Sequence, residues 1–377
     1  MDKIAKEYRD SVRDWFAAIG FPPKGLTGLI RTRYPKQYQE MVDSKAQEVR
    51  WEPLYHEVDN EIDFGPMRGK PRLEKPNRYK SNLKSMLLNL IDIQGDTEWG
   101  SVQQQMPWID QAPDDKTRAR LGIIMWQEGR HGVQMCDVLE PFGEDGKYII
   151  KLLLSRNTGD HRIDSFNLHY DDWQDVIHYT FLIDRDGKFQ LTMLQHNSYA
   201  PLARSMGPML IEEAFHIGSG FLWLKDLMTK PEADVDKIQR YLNRWYPRGL
   251  DMFGVDQDSG GEEGGSRAYN YGFKNMRNQE ARQGYIAEVS GLVHKLNQAR
   301  TVALGQDTDE RDRPDNIEKP LYVPSDMFDR NVGNYASQFF DIEGHPLEKA
   351  DYEAYLKTVL PQADPRGREA LSPQTAH

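Results

Sequence analysis

Four segments between Pro76 and Trp223 repeat apolar residues at the helical period, and each apolar stripe is interrupted by a carboxylate. In the first, Tyr79, Leu83, Met86, Leu87 and Leu90 lie on one face, which continues by helical steps to Gln94 and Glu98. In the second, Leu121, Ile124, Met125, Met135, Val138 and Leu139 share a face with Glu128 and His131, and Asp114 and Asp115 suit its start. In the third, Trp173, Ile177, Thr180, Gly187, Leu191 and Leu194 bracket Asp184, while Asp186 falls on another face. The fourth combines Leu202, Met206, Met209, Gly220 and Leu224 with Glu213, His216 and Ile217. A buried carboxylate costs several kcal/mol unless it is paired, hydrogen-bonded or bound to metal. Four such faces in one chain require a common reason.

The spacing supplies one. Glu98 precedes Glu128 by 30 residues and Asp184 precedes Glu213 by 29, and both later glutamates are followed at i+3 by a histidine. Residues i and i+3 share a side of a helix, so each Glu-x-x-His can present two donors to one metal ion. A carboxylate from each of two helices with a Glu-x-x-His from each of two others is the ligand pattern of di-metal helical bundles. The predicted fold is therefore all-α: a ferritin-like four-helix bundle core with additional helices and irregular N- and C-terminal extensions. The expected ligands are Glu98, Glu128 and His131 in one half, and Asp184, Glu213 and His216 in the other. Four carboxylates balance two divalent cations, and mixed carboxylate and imidazole donors suit iron, with manganese the alternative in one or both positions. No cysteine belongs to the set, which argues against an iron–sulfur cluster or a structural zinc site.

The remaining sequence reads as support for this core. Residues 1–75, with an amphipathic stretch from Ala5 to Ile19 and then proline and glycine punctuation, are expected to form an arm wrapping the core. Residues 76–300 are expected to form the di-metal bundle domain, with further helices near Ala233 to Trp245 and Gln279 to Ala299. Residues 301–377, rich in proline, read as an irregular C-terminal extension, and the glycine-rich run from Asp258 to Ser266 as a flexible loop. A net charge of -11 argues against a nucleic-acid partner. The single cysteine, Cys136, fits a reducing compartment, no apolar stretch approaches the length that spans a bilayer, and the N-terminus lacks a secretory core. The cytoplasm is the expected location, with no membrane partner. His178 falls away from the Asp184 face and is expected to be structural.

The runs Gln94-Gly-Asp-Thr-Glu98, Glu128-Gly-Arg-His131, Asp184-Arg-Asp-Gly-Lys-Phe-Gln-Leu191 and Glu212-Glu-Ala-Phe-His216 resemble those of the oxygenase component of benzoyl-CoA 2,3-epoxidase. The resemblance continues through Pro201-Leu-Ala-Arg204, Ile238-Gln-Arg-Tyr-Leu242 and Asp251-Met-Phe-Gly-Val-Asp-Gln257, and covers roughly residues 65 to 340. It implies a di-iron monooxygenase that uses O2 to epoxidise the aromatic ring of an aryl-CoA thioester such as benzoyl-CoA, in aromatic compound catabolism. It also implies a separate flavin and iron–sulfur reductase that supplies electrons from NADPH. The ligand set maps onto the same six residues, and relatives acting on phenylacetyl-CoA commonly carry glutamate at the position of Asp184.

Three residues depart from the pattern. Trp99 stands where the family has a proline, Phe215 replaces a histidine beside the last ligand, and Pro208, five residues before Glu213, is expected to kink or restart its helix. Trp99 and Phe215 are accordingly expected substrate-pocket residues, and Gln94, one turn before Glu98, is expected either to line the pocket with them or to hydrogen-bond a neighbouring helix. Two alternatives stay open: a di-iron N-oxygenase or hydroxylase acting on a free or carrier-bound aromatic, and a non-enzymatic iron-binding or scaffold subunit.

Overall fold

The computed structural model describes residues 3–42, 49–254, 266–305, 319–324, 339–340, 346–347 and 351. Eleven helices appear among the described residues: α1 (Lys3–Ala18), α2 (Leu26–Arg33), α3 (Pro35–Met41), α4 (Ser81–Gln105), α5 (Asp115–Leu139), α6 (Glu144–Ser155), α7 (Trp173–Leu194), α8 (Ala200–Met228), α9 (Val235–Met252), α10 (Ser266–Asn270) and α11 (Asn278–Ala303). The β-structure among the same residues is one antiparallel pair, Phe339–Phe340 with Pro346–Leu347, and three isolated bridges. None of these helices is long and apolar enough to cross a membrane.

The four striped segments are α4, α5, α7 and α8, and they pack as two hairpins. The Asp114 carboxylate starts α5 by accepting from the Thr117 N–H at 2.8 Å, and Asp172 starts α7 by accepting from the Gln174 and Asp175 N–H groups. Only 195–199 separate α7 from α8, and so short a link makes neighbouring helices antiparallel. These two pack most extensively of all, α4 with α5 next, and α5 against α8 joins the hairpins. The α7–α8 approach is close because Gly220 has no side chain: a Cβ there would stand 2.5 Å from the Phe181 backbone nitrogen.

Other helices brace the outside. Both α9 and α11 pack on α7, with Trp245, Tyr246 and Tyr285 buried between them, and α6 covers α4 and α5. At the N-terminus α1 lies on α5 and α6, placing Trp15 and Phe16 against Trp99, and α2 lies on α5. This N-terminal region has no separate core, since Tyr8, Val12, Leu26 and Ile30 belong to the same apolar cluster as α5.

The segment that follows is laced to the bundle through its backbone. Trp126 Nε1–H donates to the Arg50 carbonyl at 2.9 Å, and the Leu54 N–H donates to Gln134 Oε1 at 3.0 Å. The lacing settles the question raised by Pro208. Lacking an N–H, Pro208 leaves the Arg204 carbonyl without its helical donor, and the His56 N–H donates to that carbonyl at 3.0 Å instead. Consequently α8 runs unbroken through Pro208 and does not restart there.

The glycine-rich run from Asp258 falls outside the described residues as far as residue 265, as does most of the expected C-terminal extension. The fifth and sixth expected helices are α9 and α11, each somewhat longer than the periodicity suggested.

Candidate metal centre

Glu98 comes from α4, Glu128 and His131 from α5, Asp184 from α7, and Glu213 and His216 from α8. All six are buried, the most exposed at 5%. The helical period explains the convergence, because each residue continues an apolar stripe that has to face the bundle axis.

The six do not divide into two equal threes. Glu98, Glu128 and His131 can bring one ligand atom each within 4.8 Å of the others, and so can Glu128, Glu213 and His216. Glu128 is therefore common to both groups: its Oε2 lies 3.7 Å from His131 Nδ1 and its Oε1 lies 3.2 Å from His216 Nδ1. Glu98 Oε2 is 3.3 Å from His131 Nδ1, and Glu213 Oε2 is 3.2 Å from His216 Nδ1. Asp184 lines the same cavity outside the two close groups, and its Oδ2 has no hydrogen-bond partner. His131 Nδ1 and His216 Nδ1 are likewise buried without a hydrogen bond of good geometry.

The electrostatics state the same problem as charge. Burial, reinforced by the negative charges of Glu213 and Glu128, pushes the Asp184 carboxyl well above the ordinary range. Burial also raises Glu98 and Glu213 against the opposing pull of their histidines. Burial works on Glu128 too, but His131 and His216 outweigh it and hold that carboxylate low. The carboxylates raise both histidines although burial opposes their charge. Such a cluster needs positive charge among its members, either as protons or as cations. Inward-facing imidazole nitrogens and a free carboxylate oxygen are the atoms that divalent iron or manganese takes as ligands, so the residues fit a di-metal centre.

The outer edges of the histidines are braced crosswise. His131 Nε2, on α5, lies 2.8 Å from Glu212 Oε2 on α8, and His216 Nε2, on α8, lies 3.0 Å from Gln127 Oε1 on α5. Glu212 in turn pairs with Arg130, whose guanidinium lies over the Trp126 ring. Each helix thus uses the residue just before its ligand glutamate to hold the other helix's histidine. With Nε2 engaged, Nδ1 is left facing the cluster. Sequence reasoning missed Glu212, Gln127 and Arg130; the available signal was a polar residue preceding the glutamate of both Glu-x-x-His motifs.

A cavity of about 230 Å³ touches Glu98, Glu128, Asp184 and Glu213 but neither histidine. Its apolar wall includes Leu90, Ile93, Phe166, Ile183, Leu191 and Met252. Gln94 is on this wall and donates to Glu98 Oε1 at 2.6 Å. The other two expected pocket residues are not. Trp99, one residue and so about 100° around the helix from Glu98, turns away into the core against Trp15, filling the space that Gly132 leaves free. Phe215 lies under the Arg120 guanidinium, 4.6 Å from its carbon, and borders a separate cleft on the histidine side. His178 is fully buried away from the cluster, with Nδ1 2.6 Å from the Gln174 carbonyl.

The family described as phenylacetic acid catabolic protein matches residues 67–310. Benzoyl-CoA oxygenase component B of Aromatoleum evansii is 30% identical over 292 residues, covering 69% of this chain and 60% of that protein. A 1,2-phenylacetyl-CoA epoxidase polypeptide of Escherichia coli (strain K12) is 28% identical over 189 residues, covering 50% of this chain and 60% of that polypeptide. The chain thus spans about 60% of the length of each of these relatives.

Proposed function

The chain belongs to the phenylacetic acid catabolic protein family, and from that premise we propose that it is a di-iron monooxygenase inserting one atom of O2 into the ring of an aryl-CoA thioester, such as benzoyl-CoA. The observation that carries the reading is a set of buried, inward-facing donors whose four carboxylates border the cavity: His131 Nδ1, His216 Nδ1 and Asp184 Oδ2 have no hydrogen bond of good geometry. Glu98, Glu128, His131, Asp184, Glu213 and His216 would hold the metal ions, and Glu128 belongs to both close groups of donors. Bound iron, or manganese in one or both positions, supplies the activation of O2.

The protein's own contribution is geometric. Leu90, Ile93, Phe166, Ile183, Leu191 and Met252 give a flat hydrocarbon a dry place beside the carboxylates and keep bulk water from it. Gln94 fixes the orientation of Glu98, while Glu212 and Gln127 fix the imidazoles. The substrate occupies the carboxylate side, which the cavity reaches, while the histidines lie outside it. Electrons come from NADPH through a separate flavin and iron–sulfur reductase. The complete donor set speaks against an inert scaffold.

The test has two stages. Purified protein should hold about two iron or manganese ions per chain, and joint replacement of Glu128 and His131 by alanine should abolish that content. With a reductase, NADPH and benzoyl-CoA under isotopically labelled O2, mass spectrometry should find one labelled oxygen in the product. Metal below one ion per chain, or unimpaired turnover in the double variant, removes the proposal.

A further inference from the structure

The lining of the cavity also includes a cation with no close carboxylate partner among the described residues. Lys274 lines the same cavity as the four carboxylates, together with Asp186, Gln190 and Asn278. Its Nζ donates to Asn278 Oδ1 at 3.3 Å, and among the described residues no carboxylate lies within ion-pair distance of it. Asp186 acts on it electrostatically from farther off. Burial pushes the ammonium down to about 8, so near neutral pH most of it stays charged. A half-buried ammonium with one long hydrogen bond has donors to spare.

Its position is fixed rather than loose. The segment 272–275, between α10 and α11, is tied to the end of α7 and the turn that follows it. The Ser198 N–H donates to the Gly272 carbonyl at 2.6 Å, Asn197 Nδ2 donates to the Phe273 carbonyl at 2.7 Å, and the Asn275 N–H donates to the Met193 carbonyl at 3.0 Å. Gly272 takes a positive φ of 75°, and a Cβ there would stand only 3.3 Å from Ser198, so the turn presenting Lys274 depends on a glycine. The cation is therefore presented from a turn held at three points, into a cavity that apolar side chains also line.

We propose that Lys274 is a specificity-determining residue that donates a hydrogen bond to the carbonyl oxygen of the aroyl thioester, placing the ring against the apolar wall beside the carboxylates. The inference rests on the aryl-CoA reading above. A cavity of about 230 Å³ is of the size of an aroyl group and far smaller than the coenzyme, so the acyl end with its carbonyl is the part of the thioester that comes within reach of Lys274. The carbonyl, not the ring, is thus what Lys274 recognises. An aromatic without that oxygen would leave the ammonium unsatisfied, the situation in which polar sites discriminate strongly.

Equilibrium binding without reductant separates the ideas. Calorimetric titration of the metal-loaded protein compares benzoyl-CoA with S-benzyl-CoA, the thioether that lacks the carbonyl. Wild-type protein should prefer the thioester by about ten- to hundredfold. Lys274→Met should bind the two alike at unchanged metal content, and Lys274→Arg should keep part of the preference. No preference in wild type, or an undiminished preference in Lys274→Met, overturns the assignment. The wild-type comparison stands even where a variant folds poorly. If wild type binds neither compound while retaining metal, the aryl-CoA reading itself falls and this proposal with it.

Discussion

Each candidate histidine ligand is gripped at its far edge by a residue of the opposite helix, and that grip determines which nitrogen faces the cluster. Replacing Glu212 by Gln should lower metal affinity by about ten- to a hundredfold, read by competition with a chelator, because His131 loses its charged partner. Gln127→Leu should act similarly through His216. Unchanged affinity in both variants would sink the cross-brace. His178 permits a prediction independent of metal. Burial holds it down to about 4 against its ordinary 6.5, so between those values the unfolded chain binds a proton that the fold excludes. Stability is then full above the unfolded value and declines as pH falls toward the folded one, by up to about 3 kcal/mol from this residue. Denaturant titrations at about pH 7.5 and about pH 4.5 should show a smaller acid loss in His178→Gln than in wild type; equal losses would contradict the assignment. At this scale the six donors were legible because each lies in phase with an apolar stripe. Glu212 and Lys274 were not, since neither sits on such a stripe: Glu212 meets His131 from a distant helix, and Lys274 reaches the cavity only through the packing of its turn on α7.

Helices α7 and α8 show how little room the bundle leaves. Gly220→Ala would push a methyl group into the Phe181 backbone, which cannot yield as a side chain can, and should cost about 1–3 kcal/mol or more. Gly218→Ala, two residues earlier with nothing within 4 Å, should be neutral or stabilising by roughly 0.5–1 kcal/mol. Thermal midpoints of the two variants should shift apart; a shared shift would mean that the helices approach less closely. The four bundle helices were readable because each is long and keeps its period. By contrast, α6 and the short α2 and α3 owe their recognition to contacts with α4 and α5. Pro208 marks the limit of local rules. On its own it would interrupt α8, yet the carbonyl it frees is taken by His56 from a segment some 150 residues earlier.

Across the whole molecule, stability and the proposed metal binding form one equilibrium, because the carboxylates that destabilise the core when unpaired are the candidate ligands of the cations. Ferrous iron at a hundredfold excess over its dissociation constant should stabilise the fold by about 2.7 kcal/mol, visible as a raised melting temperature that Glu128→Ala abolishes. A midpoint insensitive to iron and chelator would mean that protons, not metal, balance the cluster. The sequence by itself determined the all-α class, the four bundle helices and the six candidate donors, because helical phase is a local property and a buried carboxylate conflicts with its own stripe. The tertiary structure decided what Glu128 shares, which nitrogen each histidine turns inward, and that Trp99 and Phe215 leave the pocket while Lys274 enters it. Those outcomes depend on distances between segments far apart in the chain, which periodicity along one helix does not encode.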